Sequence, residues 1–309
     1  MNTPSPANAA RNTAASVRQR LLNHARKTGE DFNLVLTRYA VERLLFRLSQ
    51  SRYRANFILK GAMLLSAWRA EGRRPTRDLD LTDYGSGSEE DLVAAFREIV
   101  TLPVEPDGLD FYPDAISVSE IRGDQEYHGQ RVIIPARLSA ARIKVQVDIG
   151  FGDVITPDPQ ELDFPTLLGS PSPRIRTYPP EAIIAEKLHA MVSLGIRNSR
   201  MKDFYDILVL SRELSFKGRS LAAAIIATFD RRRTPLPYPA PVALTAEFGS
   251  NPDKAIQWKA FLMRSGLPAP AADFARVGRE ISGFLLPVLD AANSKSRLPR
   301  TWNPGGPWE

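Results

Sequence analysis

The sequence predicts an α+β fold in which a core with a mixed β-sheet is followed by a helical C-terminal domain. Two amphipathic helices precede the first strand, strands and helices then alternate, and only helical spacing follows residue 180. Between Thr156 and Pro180, seven prolines and little periodicity predict a surface linker. The predicted divisions are a mobile tail (1–15), a core with N-terminal helices (16–165), a helical domain (175–293) and a loose tail (294–309).

The individual elements follow from residue spacing and from helix-end signals. Ser16 can cap the first helix, the acids Glu89 to Asp91 favour the start of another, and Gly195 is typical of a helix C-terminus. Period-two alternation of apolar residues predicts the strands. The other predicted helices span 32–49, 63–68, 88–100, 180–194, 201–214, 219–229, 252–265 and 271–292, and the predicted strands span 57–59, 78–81, 115–121, 130–138 and 142–151.

The composition excludes several classes of protein. The 309 residues are 43% hydrophobic and 25% charged, which is typical of a soluble globular chain. The absence of cysteine excludes disulfide scaffolds, thiolate enzymes and iron–sulfur clusters. No apolar stretch approaches the ~18 residues needed to cross a bilayer, and residues 1–15 lack the apolar segment of a secretory signal. We therefore predict a cytoplasmic protein without a membrane partner.

The net charge of +6 is unevenly distributed along the chain. Residues 196–309 contain 17 basic and 10 acidic residues, a net charge of +7, whereas residues 1–195 are close to neutral. Such an excess is compatible with a polyanionic partner, and a bound nucleic acid would gain most of its electrostatic attraction from the C-terminal half.

Acidic residues alternate with apolar residues on two predicted strands. Asp78 and Asp80 point to one face of the first strand while Leu79 and Leu81 point to the other, and Asp148 has the same setting on the second. If the two strands are neighbours, three carboxylates meet, an arrangement that suits divalent cations such as Mg²⁺ bound with substrate phosphates. The alternative is a set of solvent-facing strand acids without a metal.

A second candidate is the turn Lys60-Gly61-Ala62, which joins a predicted strand to a predicted helix. Free backbone N–H groups at such a turn attract phosphate, and glycine lets the backbone come close to it. One helix and one loop separate the turn from Asp78 and Asp80. Lys60 can either contact phosphate or stabilise the end of the strand.

The third candidate lies in the helical half. Lys187 lies on one predicted helix, and Arg200, Asp203 and Asp206 lie at the start of the next, where the two acids share a face. A functional cluster and an ordinary solvated helix end both agree with this pattern.

Five segments of the chain follow one another in a recognisable order: Arg38 to Ser49, Phe57 to Ala62, Arg74 to Leu81, Val147 to Asp153, and Ile184 to Asp206. In this order they resemble the AbiEii-like toxin nucleotidyltransferases, the MenT-related toxin halves of abortive-infection toxin–antitoxin pairs. The resemblance covers roughly residues 30–215. It implies a DNA polymerase β-like nucleotidyltransferase core and a helical domain that completes the active site.

The resemblance also implies partners and residue roles. The substrate would be a nucleoside triphosphate and the cofactor Mg²⁺. A nucleotide would be transferred to RNA, with the 3′ acceptor end of tRNA as the expected target, and translation would be blocked. A cognate antitoxin is the implied protein partner. The implied catalytic residues are Asp78, Asp80, Asp148, Lys187 and Asp203. Of these, Asp78, Asp80 and Asp148 are the implied metal ligands. The implied nucleotide-binding residues are Lys60, Gly61, Ala62, Lys187 and Arg200.

Three alternatives remain at this stage. Ala62 stands where the family usually has Gly or Ser, so a hydroxyl contact to the β- and γ-phosphates is missing although backbone donors remain. This departure favours a catalytically silent nucleotide- or RNA-binding module. A protein-nucleotidylating enzyme and a metal-dependent nuclease also agree with clustered acids. Serine hydrolases and zinc enzymes are excluded, because Gly-x-Ser-x-Gly is absent and His24, His128 and His189 lack ligand spacing.

Overall fold

The computed structural model describes residues 6–68, 76–83, 85, 87–121, 129–267 and 273–309. Contacts divide the chain into two compact units. The first unit contains the described residues up to 68, the described residues from 76 to 152, and residues 161–177. The second unit contains residues 153–160 and the described residues from 178 to 309. Arg74 and Pro75 of the segment Arg74 to Leu81, His128, and residues 1–5 lie outside the described residues.

The first unit combines helices with one mixed sheet. Its helices are α1 (Pro6–Thr28), α2 (Phe32–Gln50), α3 (Ala62–Trp68) and α4 (Glu89–Thr101), with 3₁₀ turns at Arg52–Ala55 and Pro113–Ala115. The strands of the sheet are β1 (Phe57–Lys60), β2 (Asp78–Asp83), β3 (Leu109–Phe111), β4 (Ser117–Ile121), β5 (Gly129–Leu138), β6 (Ala141–Phe151), β7 (Gln160–Asp163) and β8 (Arg174–Thr177).

The order of strands puts β2 inside the sheet. The order is β3-β5-β6-β2-β1-β8-β7, and β4 also pairs with β5. β2 runs antiparallel to β1 and parallel to β6, and β6 runs antiparallel to β5. Leu79, Leu81, Val147 and Ile149 are buried, so their face of β2 and β6 belongs to the core and the acids occupy the other face. The predicted mixed sheet and the antiparallel meander are confirmed.

Two strands occupy the predicted linker between Thr156 and Pro180. β7 and β8 both belong to the sheet, and β8 pairs with β1 in parallel through Leu59 and Thr177. The linker prediction was wrong, because a four-residue strand flanked by prolines carries too little alternation to be seen in the sequence. β3 escaped prediction for a similar reason, since it has three residues.

The N-terminal helix is longer than the sequence signals indicate. α1 begins at Pro6, so most of the predicted mobile tail is helical and Ser16 lies within the helix instead of capping it. Proline is well suited to a first helical turn, and the alanines that follow have the highest helix propensity. These local preferences explain the earlier start.

The second unit is built from helices and one pair of short strands. It contains α5 (Pro180–Leu194), α6 (Met201–Glu213), α7 (Gly218–Arg231), α8 (Ala246–Ser250), α9 (Pro252–Ser265) and α10 (Phe274–Ser294), with 3₁₀ turns at Gly195–Arg197 and Val242–Leu244, and the strands β9 (Phe216–Lys217) and β10 (Thr301–Trp302). Phe204 of α6 packs against Phe248 and Phe274 in its core, with ring centroids 5.7 and 5.2 Å away.

The end of the chain is packed, so the prediction of a loose tail at 294–309 was wrong. β10 pairs antiparallel with β9, and Trp302 is buried. The indole of Trp308 donates a hydrogen bond of 2.8 Å to the carbonyl of Phe284 and stacks on its ring. Apolar contact between side chains far apart in sequence orders this segment, and local periodicity does not report such contact.

Candidate functional site

The carboxylates of β2 and β6 lie on one face of two neighbouring strands. The parallel register pairs Asp80 with Asp148 and Asp78 with Gln146. Because paired residues of adjacent strands point to the same side, all three acids share the face opposite the buried leucines. The structure therefore brings Asp78, Asp80 and Asp148 together on one sheet surface, and their roles as metal ligands stay predictions.

The strands on either side of β2 and β6, which are β1 and β5, each place a basic side chain next to these acids. Lys60 of β1 pairs with Asp80, and Arg131 of β5 pairs with Asp148. Across four strands, the row therefore reads Lys60, Asp80, Asp148 and Arg131, with two acids between two bases. Opposite charges in neighbouring strand positions stabilise a sheet, whereas two acids side by side destabilise it unless a cation is shared.

Arg131 is the residue of this row that sequence reasoning missed. Its Nε and Nη2 each donate a hydrogen bond of 2.8 Å to one oxygen of Asp148, a bidentate pair. Gln146 Nε2 lies 3.3 Å from the same carboxylate. These hydrogen bonds to Asp148 raise the pKa of the Arg131 guanidinium, partial burial opposes the increase, and the nearby charges of Asp148, Asp78 and Asp80 add to it. A signal was present, since Arg131 alternates with Val132 on a predicted strand.

The donor set suits a hard divalent cation held together with substrate phosphates. Mg²⁺ usually keeps several waters and takes one or two carboxylates plus phosphate oxygens, and Asp78 and Asp80 can supply the carboxylates. Within the described ranges, however, no preformed group of three or more His, Cys, Asp or Glu side chains could hold a metal. Asp148 gives both of its oxygens to Arg131 instead.

Gly61 permits the close approach between the turn and Asp80. Its φ is +73°, a left-handed conformation that favours glycine, and a Cβ built on it would overlap the Asp80 carboxylate. Its carbonyl accepts the hydrogen bond of Leu64 N–H at the start of α3, and Ala62 is buried. The turn predicted to bind phosphate therefore lies directly against the predicted metal ligand.

The second unit contains a buried ion cluster formed by α5 and α6. The Nζ atom of Lys187 donates hydrogen bonds of 3.0 Å to Asp203 and 2.7 Å to Asp206. Arg200 Nε lies 2.7 Å from the second oxygen of Asp203, an ion pair without hydrogen-bond alignment. The side chains of Asp203 and Asp206 are 1% and 0% exposed, so both charges depend on these partners.

The pKa shifts of Lys187 and Asp203 both favour the charged form of the side chain. Burial lowers the pKa of the Lys187 ammonium, but the charges of Asp206 and Asp203 more than offset this and raise it above its ordinary value. Burial likewise opposes ionisation of Asp203, and Lys187 and Arg200 nevertheless hold the pKa of its carboxyl below the usual range. The structure brings Lys187, Arg200, Asp203 and Asp206 together, and their roles in nucleotide binding and catalysis stay predictions.

One cavity of the first unit, of about 830 Å³, is lined by Asn12 to Ala15, Arg47 and Asp107, among others, and by none of the predicted site residues. The carboxylates of β2 and β6 are therefore not part of this cavity.

A comparison with protein-family models identifies the family to which the chain belongs. The model described as "Nucleotidyl transferase AbiEii toxin, Type IV TA system" matches residues 43–279. This chain belongs to the AbiEii toxin family. AbiEii-family membership makes it a toxin nucleotidyltransferase, and a type IV system pairs such a toxin with a cognate antitoxin. The matched range includes both the carboxylate row and the ion cluster.

Two solved structures are similar to this AbiEii-family chain. The first is JHP933 from Helicobacter pylori, with 14% identity, a TM-score of 0.47, and coverage of 85% of this chain and 94% of that chain. The second, of a proposed nucleotidyltransferase from H. pylori, has 15% identity, a TM-score of 0.47, and coverage of 85% and 97%. No curated protein matches the chain. Among the described residues, no helix has the length and apolar character to span a membrane.

Proposed function

We propose that this AbiEii-family protein transfers a nucleoside monophosphate from a nucleoside triphosphate to RNA, with Mg²⁺ as cofactor and the 3′ acceptor end of tRNA as the target, and thereby blocks translation. The observation that carries the proposal is the register of Asp80 with Asp148 beside the Gly61 turn. It supports a DNA polymerase β-like core, because it gathers acids next to a turn that can face phosphates. Nucleotides and tRNA are abundant in the cytoplasm, where we expect the protein to act.

Asp78 and Asp80 are the residues that would hold the metal in this proposal. When bound, Mg²⁺ would neutralise charge on the α-phosphate and on the leaving pyrophosphate. The 3′-hydroxyl oxygen attacks the α-phosphorus, the bond to pyrophosphate breaks, and the hydroxyl proton passes to water. Lys60 and the backbone N–H groups at Gly61 and Ala62 would contact the phosphates, since they lie beside Asp80.

Lys187, Asp203 and Arg200 have a proposed role in binding the nucleotide. The ammonium of Lys187 lies between Asp203 and Asp206, and the guanidinium of Arg200 lies against Asp203, which fixes the positions of both cations. Held in this way, the two cations would contact phosphate oxygens with little loss of side-chain entropy. The net charge of +7 over residues 196–309 supports a polyanionic acceptor such as tRNA.

Labelling of RNA tests the proposal. The full chain is incubated with each α-³²P-labelled nucleoside triphosphate in turn, Mg²⁺ and total tRNA, and the products are separated on a denaturing gel. We expect labelled tRNA from the wild type and a loss of at least 100-fold with Asp80→Asn, because removal of a metal ligand removes charge stabilisation of the transition state.

Asp110→Asn is the matched control for this experiment. Asp110 is also a strand aspartate in the first unit, but it forms an exposed ion pair with Arg137 and should retain wild-type labelling. Label on protein instead of tRNA would favour a protein-nucleotidylating enzyme. Absence of any label, together with absence of Mg²⁺-dependent triphosphate binding in calorimetry, would favour the silent module, and cleavage of RNA without added nucleotide would favour a nuclease.

A further inference from the structure

The pairing of Arg131 with Asp148 bears on how many metal ions the site takes. Three carboxylates on one sheet face, such as Asp78, Asp80 and Asp148, are the usual requirement for two divalent ions about 3.5–4 Å apart. In that arrangement, the acid of the neighbouring strand has to give an oxygen to metal. Here both oxygens of Asp148 accept hydrogen bonds of 2.8 Å from one guanidinium.

Several features make this pair a fixed part of the site. A guanidinium cannot lose its proton in a protein, so Arg131 carries a permanent positive charge. The fork geometry is bidentate, and the cross-strand register of β5 and β6 sets the two residues opposite each other. The side chain of Asp148 is 20% exposed and is also contacted by Gln146, which limits its rearrangement.

The charges already present in the row also favour a small number of metal ions. Arg131 and Lys60 place two positive charges beside the three carboxylates, opposite Asp148 and Asp80 respectively. A second divalent cation would have to displace a bidentate ion pair and would leave an excess of positive charge before nucleotide binds.

We propose that Arg131 takes the position of a second metal ion, so that this site holds one divalent cation, on Asp78 and Asp80, together with the nucleotide. The inference rests on the proposed function, because it concerns the same carboxylates. Arg131 is a positioning residue here: it holds the Asp148 carboxylate in place and supplies a fixed positive charge that a two-metal site would obtain from its second ion. Arg131 therefore determines how many divalent cations the site binds.

Electron paramagnetic resonance with Mn²⁺ tests the proposal without a measurement of activity. The full chain is frozen with excess Mn²⁺ and a non-hydrolysable α,β-methylene triphosphate, and spectra distinguish an isolated ion from two ions close enough for magnetic coupling. We expect an isolated ion in the wild type and a coupled pair in Arg131→Gln, because the amide frees Asp148 as a ligand. Arg131→Gln combined with Asp148→Asn should return to an isolated ion.

The controls separate this inference from the function on which it rests. Arg131→Lys keeps the charge and should retain an isolated ion, as should Arg137→Gln, which removes an arginine from an exposed ion pair on the same strand. A coupled pair in the wild type, or an isolated ion in folded Arg131→Gln, would overturn the inference and leave the transferase proposal intact. If Arg131→Gln does not fold, the wild-type and Arg131→Lys spectra still decide the question. Complete absence of bound Mn²⁺ would overturn both proposals.

Discussion

Single residues of the first unit show how tightly the turn and the carboxylate are joined. Gly61 is required for two separate reasons, its positive φ and the space that the Asp80 carboxylate occupies. Gly29 has the same φ of +73° but has no atom within 4 Å of a built Cβ. Substitutions at the two glycines therefore distinguish the cost of backbone strain from the cost of steric conflict.

We expect Gly61→Ala to lower the free energy of unfolding by about 2–4 kcal/mol, because the methyl group adds overpacking to backbone strain. Gly29→Ala should cost about 1 kcal/mol, since only strain applies. Urea unfolding followed by circular dichroism measures both. Equal losses in the two variants would mean that Asp80 moves aside freely and that the turn does not fix its position.

The importance of Arg131 could not be predicted from the residue alone. An arginine on a strand is an unremarkable feature of a sequence, and its importance depends on the residue opposite it. The bidentate pair with Asp148 arises from the register of β5 and β6, in which each residue of one strand has a defined partner. The charge of this acid is therefore satisfied by protein before any metal binds.

At the scale of elements, α2 carries an unusual set of buried charges. Arg43 and Arg47 both form ion pairs with Asp107, at 3.2 and 2.6 Å. Glu42, on the same helix, is 1% exposed and accepts a hydrogen bond from Leu167 N–H through one oxygen, while the other oxygen has no hydrogen-bond partner. Burial raises the pKa of Glu42 to about 7, against the opposing effects of the Leu167 hydrogen bond and of Arg43.

This raised pKa predicts a dependence of stability on pH. The folded pKa lies above the ordinary value of 4.5, so the stability that protonated Glu42 contributes is complete below pH 4.5 and is lost as pH rises through 7. We expect the wild type to lose about 3 kcal/mol relative to Glu42→Gln between pH 4.5 and pH 8. Urea unfolding of both proteins across this range measures the difference.

Glu98→Gln, on α4, is the control for Glu42→Gln. The side chain of Glu98 is 41% exposed and pairs with exposed Arg52, so its replacement should follow the wild type within about 0.5 kcal/mol at every pH. A constant difference between Glu42→Gln and the wild type, independent of pH, would show that Glu42 is ionised throughout and would contradict the prediction.

At the scale of the whole molecule, residues distant in sequence complete the second unit. Trp302 packs against Phe284 and Trp308 with ring centroids 4.8 and 5.5 Å away, and its indole donates a hydrogen bond to the carbonyl of Ser211. A segment with no helical or strand periodicity of its own therefore closes the core formed by α6 and α10.

We expect Trp302→Ala to destabilise the second unit by about 3–5 kcal/mol, because it leaves a cavity and removes one of the two hydrogen bonds that the Ser211 carbonyl accepts. Met263→Ala serves as the control, since Met263 is 74% exposed and its replacement should cost less than about 0.5 kcal/mol. The urea midpoint for loss of helical circular dichroism reports both changes. Coincident midpoints for the two variants would indicate a tail that contributes no stability.

The sequence by itself determined the features that depend on nearby residues. Helices α2, α4, α6 and α9 follow from apolar spacing and from caps such as Ser88 and Asn251, whose side chains accept hydrogen bonds from the first turn. The alternation on β2 and β6 likewise fixed which face carries the acids, because successive side chains of a strand point to opposite sides. These are local rules, so a short window of sequence contains the information.

Only the tertiary structure decided which segments become neighbours. It placed β8 beside β1, Arg131 opposite Asp148, Asp206 on Lys187, and the C-terminal strand β10 beside β9. Each of these pairings joins residues separated by many positions, and the free energy that selects it comes from burial and hydrogen bonding summed over the unit. Residue type and spacing name the candidates for such contacts, but the register of strands and the packing of helices choose among them.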